Sequence, residues 1–332
     1  MRAITYSAFG DAEAVLQLTQ IETPSPAAGE VLVRLKTTAV NPSDVKARAG
    51  GRPGVTEPPF PLIIPHSDGG GIIEQVGDNI SAERVGEAVW IWNGQWQRAF
   101  GTAAEYICLP AEQAVPLPEG VTFAHAAVFG IPGLTAAHAV LGAGDISGQR
   151  VLVSGGAGVV GHLAVQIAAL GGAEVFATCS EPDKEAVKAA GAHHVFDYRE
   201  PKLADEIRTA SQGKLIDKII EVEFGRNAQT NAAIIAEGGH IVSYGSAQDM
   251  SPTLPFYPLM FKAVSIDLML VYLLGNQDRK NATITLNRLA QSGRLDFRIA
   301  SQMPLSACAD AHNLVATGNR KGSVILNIDD TL

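Results

Sequence analysis

A short polar stretch of the chain carries side chains that could do chemistry. It reads PHSDGGG and places His66, Ser67 and Asp68 directly before the three glycines 69–71. An imidazole, a hydroxyl and a carboxylate side by side fit a metal site, a catalytic dyad or a polar turn. The glycines favour a tight backbone turn, which Asp68 would order by accepting hydrogen bonds from nearby backbone N–H groups.

A second stretch, VLVSGGAGVVGHLAVQ, has the glycine spacing of a dinucleotide-binding turn. Gly156, Gly158 and Gly161 form G-x-G-x-x-G between a run of β-branched residues and an amphipathic segment. We expect Gly156 to permit the turn, Gly158 to let a pyrophosphate approach, and Gly161 to let the helix pack on the strand. The phosphates would lie at the helix N-terminus, which favours anions. The other predicted cofactor contacts in this turn are Ala157, Val159 and Val160.

The end of the next predicted strand, FATCSEPDK, bears on the choice of cofactor. NAD-specific folds place Asp or Glu here to bind the ribose hydroxyls, whereas this chain has Cys179 or Ser180 at that position. The missing carboxylate, together with Ser180 and Lys184, predicts NADPH rather than NADH. Glu181 could still reach the ribose, and Lys184 taken alone is more typical of a solvated helix residue.

Composition limits the function classes. The net charge of −9 argues against a nucleic-acid or anionic-membrane surface, because binding phosphates requires clustered Lys and Arg. Cys108, Cys179 and Cys308 are far apart in sequence, which fits a reducing cytosol better than a disulfide framework. The N-terminus lacks the charged start and apolar core of a signal peptide. We therefore predict a cytoplasmic protein without nucleic-acid or membrane partners.

The elements that must position these side chains follow from length and pattern. A chain of 332 residues suggests about two domains, at about 150 residues each. The first 120 or so residues contain short apolar runs separated by turn signals, which predicts a β-rich domain. From His125 onward strands alternate with helices, which predicts an α/β fold with a doubly wound parallel sheet. The segment from about Ala263 could extend the second domain or return to the first.

Several stretches together resemble a known family. The chain is similar to the zinc-free medium-chain dehydrogenase/reductases, and within them to the quinone oxidoreductases of zeta-crystallin type. The resemblance implies a GroES-like catalytic domain over 1–124, completed by 263–332, and a Rossmann domain over 125–262 that binds NADPH. It also implies a homodimer. The matching stretches are VNPSDVKARAG, PHSDGGGIIEQVGDN, NGQWQRAFGTAAEY, PLPEGVTFAHAAVFGIPGLTA, VLVSGGAGVVG, GAHHVFDYRE and GGHIVSYGS.

The resemblance also addresses zinc. Zinc-dependent relatives use a Cys, a His and a second Cys as ligands, and the matching positions here hold Asn41, Ser67 and Ile131. Because catalytic zinc needs three protein ligands, these residues predict no metal site. His66 lies one residue before the ligand position, where the family commonly has glycine.

Without a metal, hydrogen-bond donors must stabilise the negative charge that hydride transfer leaves on the acceptor oxygen. The resemblance places Asn41 in the part of the family that faces the nicotinamide, so we predict that Asn41 is this donor. Turn formation by the NPSD segment is the alternative. Asp44, the second predicted catalytic residue, either forms an ordering pair with Lys46 beneath the site or is an ordinary surface charge.

Further contacts are implied by the resemblance. Thr135 matches a threonine near the nicotinamide carboxamide, Tyr198 a tyrosine near the adenosine phosphate, and Gly245 and Ser246 the loop beside the nicotinamide. Packing or capping roles are the alternatives for Thr135 and Tyr198. In WIWNGQW the polar residues between the tryptophans suggest a loop, so Trp92 and Trp96 are predicted to stack on a planar substrate.

These observations predict an NADPH-dependent quinone oxidoreductase that transfers hydride without zinc to a small-molecule quinone or enone. Two other functions remain open. The first is reduction of another activated alkene, such as an enal, enone or enoyl thioester, because the cofactor geometry would be the same. The second is a cofactor-binding protein without enzymatic activity.

Overall fold

The structure is a computed structural model that describes residues 1–51, 54–318 and 320–329. The chain divides into two compact units. The first comprises Met1–Ile131, Ala290–Gly293 and Phe297–Leu332, and the second comprises Pro132–Leu289 and Arg294–Asp296.

The first unit begins with mostly extended segments. Its long third strand, EVLVRLKTTAV, is largely buried, which fits its run of valines, leucines and threonines. Pro at the first position and Asn41 at the N-cap start the second helix. The elements in chain order are β1 (Arg2–Thr5), α1 (Ala12–Val15), β2 (Gln17–Gln20), β3 (Glu30–Val40), α2 (Pro42–Arg48), β4 (Asp68–Val76), β5 (Ala88–Ile91), β6 (Tyr106–Pro110), β7 (Ala114–Pro116) and α3 (Phe123–Ala126).

The second unit alternates strands with helices, as predicted. Its elements are α4 (Leu134–Leu141), β8 (Arg150–Val153), α5 (Val159–Leu170), β9 (Glu174–Cys179), α6 (Lys184–Ala189), β10 (His194–Asp197), α7 (Leu203–Ala210), β11 (Ile216–Glu221), α8 (Phe224–Ile234), β12 (Ile235–Ser243), α9 (Phe256–Met260), β13 (Ser265–Leu268) and α10 (Asn276–Gln291). Within the described residues the strands form a six-stranded sheet in the order β10-β9-β8-β11-β12-β13, and every pairing in it is parallel. The predicted parallel sheet is confirmed.

The chain then returns to the first unit through β14 (Ile299–Pro304), α11 (Cys308–Ala316) and β15 (Ser323–Asn327). In the part of the chain that is described, the main sheet of this unit has the order β14-β15-β3-β4-β5-β7, and β6 pairs with β3. Buried side chains of β3, β4, β6, α11 and β15 form one hydrophobic core. A separate core in the second unit packs around Phe176, Ile219 and Ile241.

The observed division differs from the predicted boundaries at two places. Residues up to Ile131 lie in the first unit, and residues 263–289 lie in the second. The physical reason for the second difference is β13, which pairs with β12 and extends the parallel sheet by one strand. None of the helices in the described ranges is both long and apolar enough to cross a bilayer.

Candidate functional site

The glycine turn of the second unit follows β8 at the carboxyl edge of the parallel sheet, where doubly wound folds bind ligands. The Gly155 N–H donates to Thr178 Oγ1 over 3.2 Å, and the Gly156 N–H donates to the Thr178 carbonyl over 2.8 Å. Gly155 has φ +72°, a conformation that L side chains rarely adopt. The residue that permits the turn is therefore Gly155, and the role predicted for Gly156 was wrong.

Gly156 has a packing role instead, because a Cβ there would lie 3.1 Å from Val187 and 3.2 Å from Ala177. Gly161 is more restricted, since its Cβ would lie 2.1 Å from the Gly155 carbonyl oxygen. Gly158 caps α5, and the nearest atom to an added Cβ is 3.3 Å away. Ala157 lies in the same turn, and Val159 and Val160 form the first turn of α5.

A cavity of about 210 Å³ lies beside this turn. Its walls come from the carboxyl ends of β8, β9 and β11 and from the loops that follow them. Tyr198 is the predicted cofactor residue outside the turn that lines it. The lining residues are Ser154, Gly155, Thr178, Tyr198, Val222, Glu223, Arg226, Asn227 and Gln248.

Two arginine side chains lie close to the Tyr198 ring. The Arg226 guanidinium lies 5.5 Å from the centre of the Tyr198 ring, and that of Arg199 lies 5.2 Å away. Arg199 is paired with Asp197 over 3.1 Å, whereas Arg226 donates to the neutral Gln248 side chain over 3.1 Å. Arg226 therefore brings to the cavity a positive charge held by a neutral amide.

The other two predicted phosphate contacts are held by acidic neighbours. Ser180 donates to Asp183 over 2.5 Å, and Lys184 pairs with Glu181 over 2.7 Å. Hydrogen bonding to Glu181 raises the pKa of Lys184. Neither residue lines the cavity, so the structure brings Tyr198 to it but not Ser180 or Lys184.

A buried carboxylate forms hydrogen bonds with residues that line this cavity. Glu221 at the end of β11 accepts hydrogen bonds from the side chains of Asn227, over 3.0 Å, and Asn231, over 2.8 Å. It also accepts from the Glu223 backbone N–H over 2.7 Å. These bonds fix the start of α8, from which Asn227 donates to Ser154 Oγ over 3.2 Å. Glu221 thus positions two of the cavity residues.

The remaining predicted cofactor contacts lie elsewhere in the second unit. Gly245 and Ser246 follow β12, as predicted, and Ser246 Oγ accepts from the Gly225 N–H over 2.9 Å. A Cβ on Gly245 would lie 2.5 Å from the Val222 carbonyl oxygen, so this loop packs closely on the segment after β11. Thr135 is buried in the first turns of α4.

In the first unit, buried polar groups converge on Asp68. Its Oδ2 accepts from the Asn41 side chain over 2.8 Å, and its Oδ1 accepts from the Ile131 backbone N–H over 2.9 Å. Asp44 accepts from the Asn41 backbone N–H over 2.7 Å and closes a capping box at the start of α2. Asp44 is buried, so it is not a surface charge, whereas Lys46 is exposed.

Asp68 is fully buried. Burial raises the pKa of the Asp68 carboxyl well above its usual range, and the nearby charge of Asp44 raises it further. The hydrogen bonds from Ile131 and Asn41 act in the opposite direction. The prediction that Asp68 orders its own turn is corrected, because its carboxylate bonds to groups 27 and 63 residues away in sequence.

The three glycines after Asp68 do not form a turn. Residues 69–71 lie inside β4, where Gly69 pairs with Thr38 and Gly71 with Leu35 of β3. A Cβ on Gly71 would lie 2.3 Å from the Arg34 carbonyl oxygen, and one on Gly70 would lie 2.8 Å from Ala126. The glycines allow neighbouring elements to approach β4 closely, and the left-handed residue in this stretch is His66, with φ +77°.

The three positions that match zinc ligands do not fit a metal ion. The Asn41 side chain donates to Asp68, the Ile131 backbone donates to the same carboxylate, and the Ile131 side chain is a hydrocarbon. Ser67 offers only a neutral hydroxyl. One carboxylate thus links two of the three positions, and the donor set lacks the thiolates and imidazole that zinc prefers.

The tryptophans occupy different environments. Trp90 on β5 is fully buried and packs edge-on against Phe129 at 5.5 Å. The chain leaves the strand after Ile91, as the loop prediction required, and Trp96 lines a mainly apolar cavity of about 420 Å³. Trp92 does not line this cavity. The cavity contacts Ala47 and Gly50 near the C-terminal end of α2, whereas Asn41 caps its N-terminal end.

Comparisons with known proteins extend over nearly the whole chain. The family profile "Alcohol dehydrogenase GroES-like domain" matches residues 27–119, and "Zinc-binding dehydrogenase" matches residues 159–288. Human quinone oxidoreductase is 31% identical over 98% of this chain and 97% of its own length.

Two solved structures agree with this result. A structure described as an NAD-dependent alcohol dehydrogenase is 30% identical, with a TM-score of 0.86 over 99% of this chain and 100% of its own. A quinone oxidoreductase from Pseudomonas syringae is 27% identical, with a TM-score of 0.86 over 98% of this chain and 99% of its own.

Proposed function

Because the chain belongs to the medium-chain dehydrogenase/reductase family, and within it to the quinone oxidoreductase type, we propose that it reduces quinones with NADPH and without catalytic zinc. Membership indicates an oxidoreductase. Cofactor preference, acceptor and metal independence are proposals argued from this chain's own residues.

The observation that supports NADPH most strongly is Arg226 at the cavity beside the glycine turn. Its guanidinium stacks on Tyr198 and is held by a neutral amide, so its charge is available to a 2′-phosphate. The residue directly after β9 is Ser180, a neutral side chain where NAD-specific folds place Asp or Glu. Arg226 takes the phosphate-binding role in this proposal in place of Ser180 and Lys184, which do not line the cavity.

NADPH supplies the hydride, and the protein supplies position and charge. Asn41 donates one Nδ2–H to Asp68 and points the amide by that bond. We assign to its second Nδ2–H the stabilisation of the oxygen that gains negative charge as the acceptor is reduced. A proton from solvent completes the hydroquinone. Asp44 acts through Asn41 as a positioning residue, because it caps the same helix end.

Independence from zinc is supported by the hydrogen bonds of Asp68. Its carboxylate is already bound by Asn41 and Ile131, so these positions are stabilised without an ion. The residues present hydrogen-bond donors where a zinc enzyme presents a Lewis acid.

A second copy of this chain is the partner we propose. β13 is the edge strand of the parallel sheet in the described residues, so one side of its backbone is unpaired. Large apolar side chains nearby are exposed, among them Phe261 at 78% and Leu268 at 75%. Antiparallel pairing of two β13 strands about a two-fold axis would cover the unpaired strand edge and these apolar side chains. Light scattering should give a dimer for the wild type and a monomer for Leu268→Asp; a monomeric wild type would contradict this proposal.

One panel of assays tests the activity. NADPH oxidation is measured against a quinone, a 2-enal and an enoyl thioester. The panel is repeated with NADH, because one of the similar solved structures is described as an NAD-dependent alcohol dehydrogenase. The proposal predicts turnover with the quinone and NADPH. Turnover confined to the enal or the thioester would identify an alkene reductase instead, and tight NADPH binding without any turnover would favour a non-enzymatic role.

A further inference from the structure

Three buried side chains of the first unit bring ligand atoms together away from the positions that match catalytic zinc. They are His66, Cys308 and His312, and their ligand atoms all lie within 4.8 Å of one another. The Nε2 atoms of the two histidines are 2.9 Å apart, and Cys308 Sγ lies 3.9 Å from His66 Nε2. Cys308 and His312 are four residues apart on α11 and so share one face of that helix.

The hydrogen-bond network around His66 determines which of its nitrogens is free to bind a ligand. Among the described residues, His66 Nδ1 contacts Thr38 Oγ1 at 3.2 Å, and Thr38 and Thr102 contact each other at 2.7 Å. Both hydroxyls also contact the Asp68 carbonyl oxygen, at 3.0 and 2.8 Å. These contacts outnumber the two hydroxyl protons, so a proton on His66 Nδ1 satisfies the most bonds. His66 Nε2 then carries a lone pair directed at the cluster.

The cluster is maintained at an energetic cost. His66 holds a left-handed backbone conformation that is strained for a residue with a side chain. The Nδ1 atom of His312 is buried and has no hydrogen-bond partner among the described residues. The fold therefore keeps these side chains together although a buried unpaired polar atom alone costs about 1–3 kcal/mol.

We propose that His66, His312 and Cys308 bind one Zn²⁺ ion in a buried site outside the reaction centre, with a non-protein ligand in the fourth position. Zinc bonds of about 2.0–2.1 Å to nitrogen and about 2.3 Å to sulfur place tetrahedral ligands roughly 3.4 Å apart. The observed separations of 2.9 and 3.9 Å lie on either side of that value. Side-chain shifts of about half an ångström bring these two pairs to that spacing, and the Cys308 and His312 ligand atoms already lie within 4.8 Å of each other.

The protons balance in this step. Cys308 releases its thiol proton to solvent and binds as thiolate, and the proton on His312 Nε2 moves to Nδ1. Thr38 accepts from His66 Nδ1–H and orients the ring, as the outer partner of a ligating histidine does.

This site is independent of the proposed reaction. None of the three residues belongs to the set proposed for hydride transfer, and removing Cys308 should leave NADPH turnover unchanged. Loss of zinc with retained turnover is the combination the structure predicts, so the failure of either proposal can be recognised separately.

The test compares zinc content among variants produced in zinc-supplemented medium. Elemental analysis after gel filtration should find about one zinc per chain in the wild type. The control Cys179→Ala removes a buried cysteine outside the cluster and should keep that zinc, whereas Cys308→Ala and His312→Asn should lose at least about nine-tenths of it. Refolding wild type with Co²⁺ should give thiolate charge-transfer absorption, which remains measurable if a variant fails to fold. Wild type without zinc and without this absorption, or Cys308→Ala with undiminished zinc, would overturn the proposal.

Discussion

The two units build their candidate sites in different ways. In the second unit the turn after β8 is held by backbone N–H groups that bond to neighbouring strands, and its glycines keep side chains out of the way. In the first unit the side chain of Asp68 bonds to Asn41 and Ile131, which are 27 and 63 residues away. The backbone turn depends on its glycines, so a methyl group added at a glycine should disturb it more than changes in the surrounding side chains. The network of the first unit depends instead on each group that bonds to Asp68.

Adding an atom to the glycine turn should have the largest effect. In Gly161→Ala the new methyl group would overlap the Gly155 carbonyl oxygen, and we expect a loss of about 4 kcal/mol in unfolding free energy. Gly158→Ala is the matched control, because its Cβ meets nothing closer than 3.3 Å. It should unfold like the wild type in urea but bind NADPH more weakly by about tenfold or more. Equal stability of the two variants would contradict the packing role of Gly161.

Removing the shared carboxylate of the first unit should be next in size. Asp68→Ala leaves the Asn41 amide and the Ile131 N–H buried without their acceptor, which we expect to cost about 3 kcal/mol. Ser67→Ala, at the adjacent buried position, takes part in neither bond and should change stability by less than about 1 kcal/mol. Urea unfolding of both variants measures this difference, and a stable Asp68→Ala protein would show that the network is dispensable.

The second unit also contains a buried lysine, and burying its charge should lower the free energy of unfolding. Lys218 on β11 donates to the Val140 carbonyl oxygen over 2.6 Å, and burial lowers its pKa to about 8. Its folded-state pKa lies below its unfolded value, so the unfolded chain binds the proton more tightly. The resulting destabilisation is fully present below about pH 8 and disappears as the pH rises toward the unfolded pKa of 10.5.

We therefore expect the wild type to gain about 2 kcal/mol of stability, relative to Lys218→Met, between pH 7.5 and pH 10. Urea unfolding at the two pH values measures this difference. Lys46→Met, at an exposed position, should follow the wild type at both. Parallel pH profiles for wild type and Lys218→Met would refute the account of Lys218.

The smallest effect that we expect is a change in cofactor affinity that differs between Arg226 and Arg199, the two arginines near Tyr198. Arg226→Ala should weaken NADPH binding by about tenfold and leave NADH binding unchanged, because it removes a charge that lies at the cavity. Arg199→Ala is the control, since Arg199 is paired with Asp197 and is not among the cavity residues. Fluorescence titration gives both affinities, and equal losses in the two variants would remove the basis for assigning the phosphate to Arg226.

The difference between the two units also explains which features could be predicted from sequence. Strand alternation and the glycine spacing identified the parallel sheet and its turn, because these signals arise from residues close together in the chain. The assignment of the turn to Gly156 failed by one residue, since a run of two glycines does not show which of them takes the positive φ. The boundary near residue 263 moved because strand pairing with β12 is not visible in the composition of β13.

Side-chain partners in the first unit could not be predicted in this way. PHSDGGG reads as a turn because glycine is common in turns, but here the glycines make room for β3 and α3 against β4. His66 lies 246 residues from His312, and no local pattern indicates that pairing. Arg226 was missed for the same reason, because its helix begins far along the chain from Tyr198 and only the fold brings the two together.

The most direct test of the account is the rate of NADPH oxidation by a quinone, measured on chelator-dialysed wild type and on Cys308→Ala, with NADH as control. We predict that both proteins turn over, that kcat/KM is about tenfold or more higher with NADPH than with NADH, and that added zinc changes neither rate. Absence of quinone-dependent oxidation, equal rates with NADH, or activity that returns only with added zinc would contradict NADPH-dependent quinone reduction without catalytic zinc.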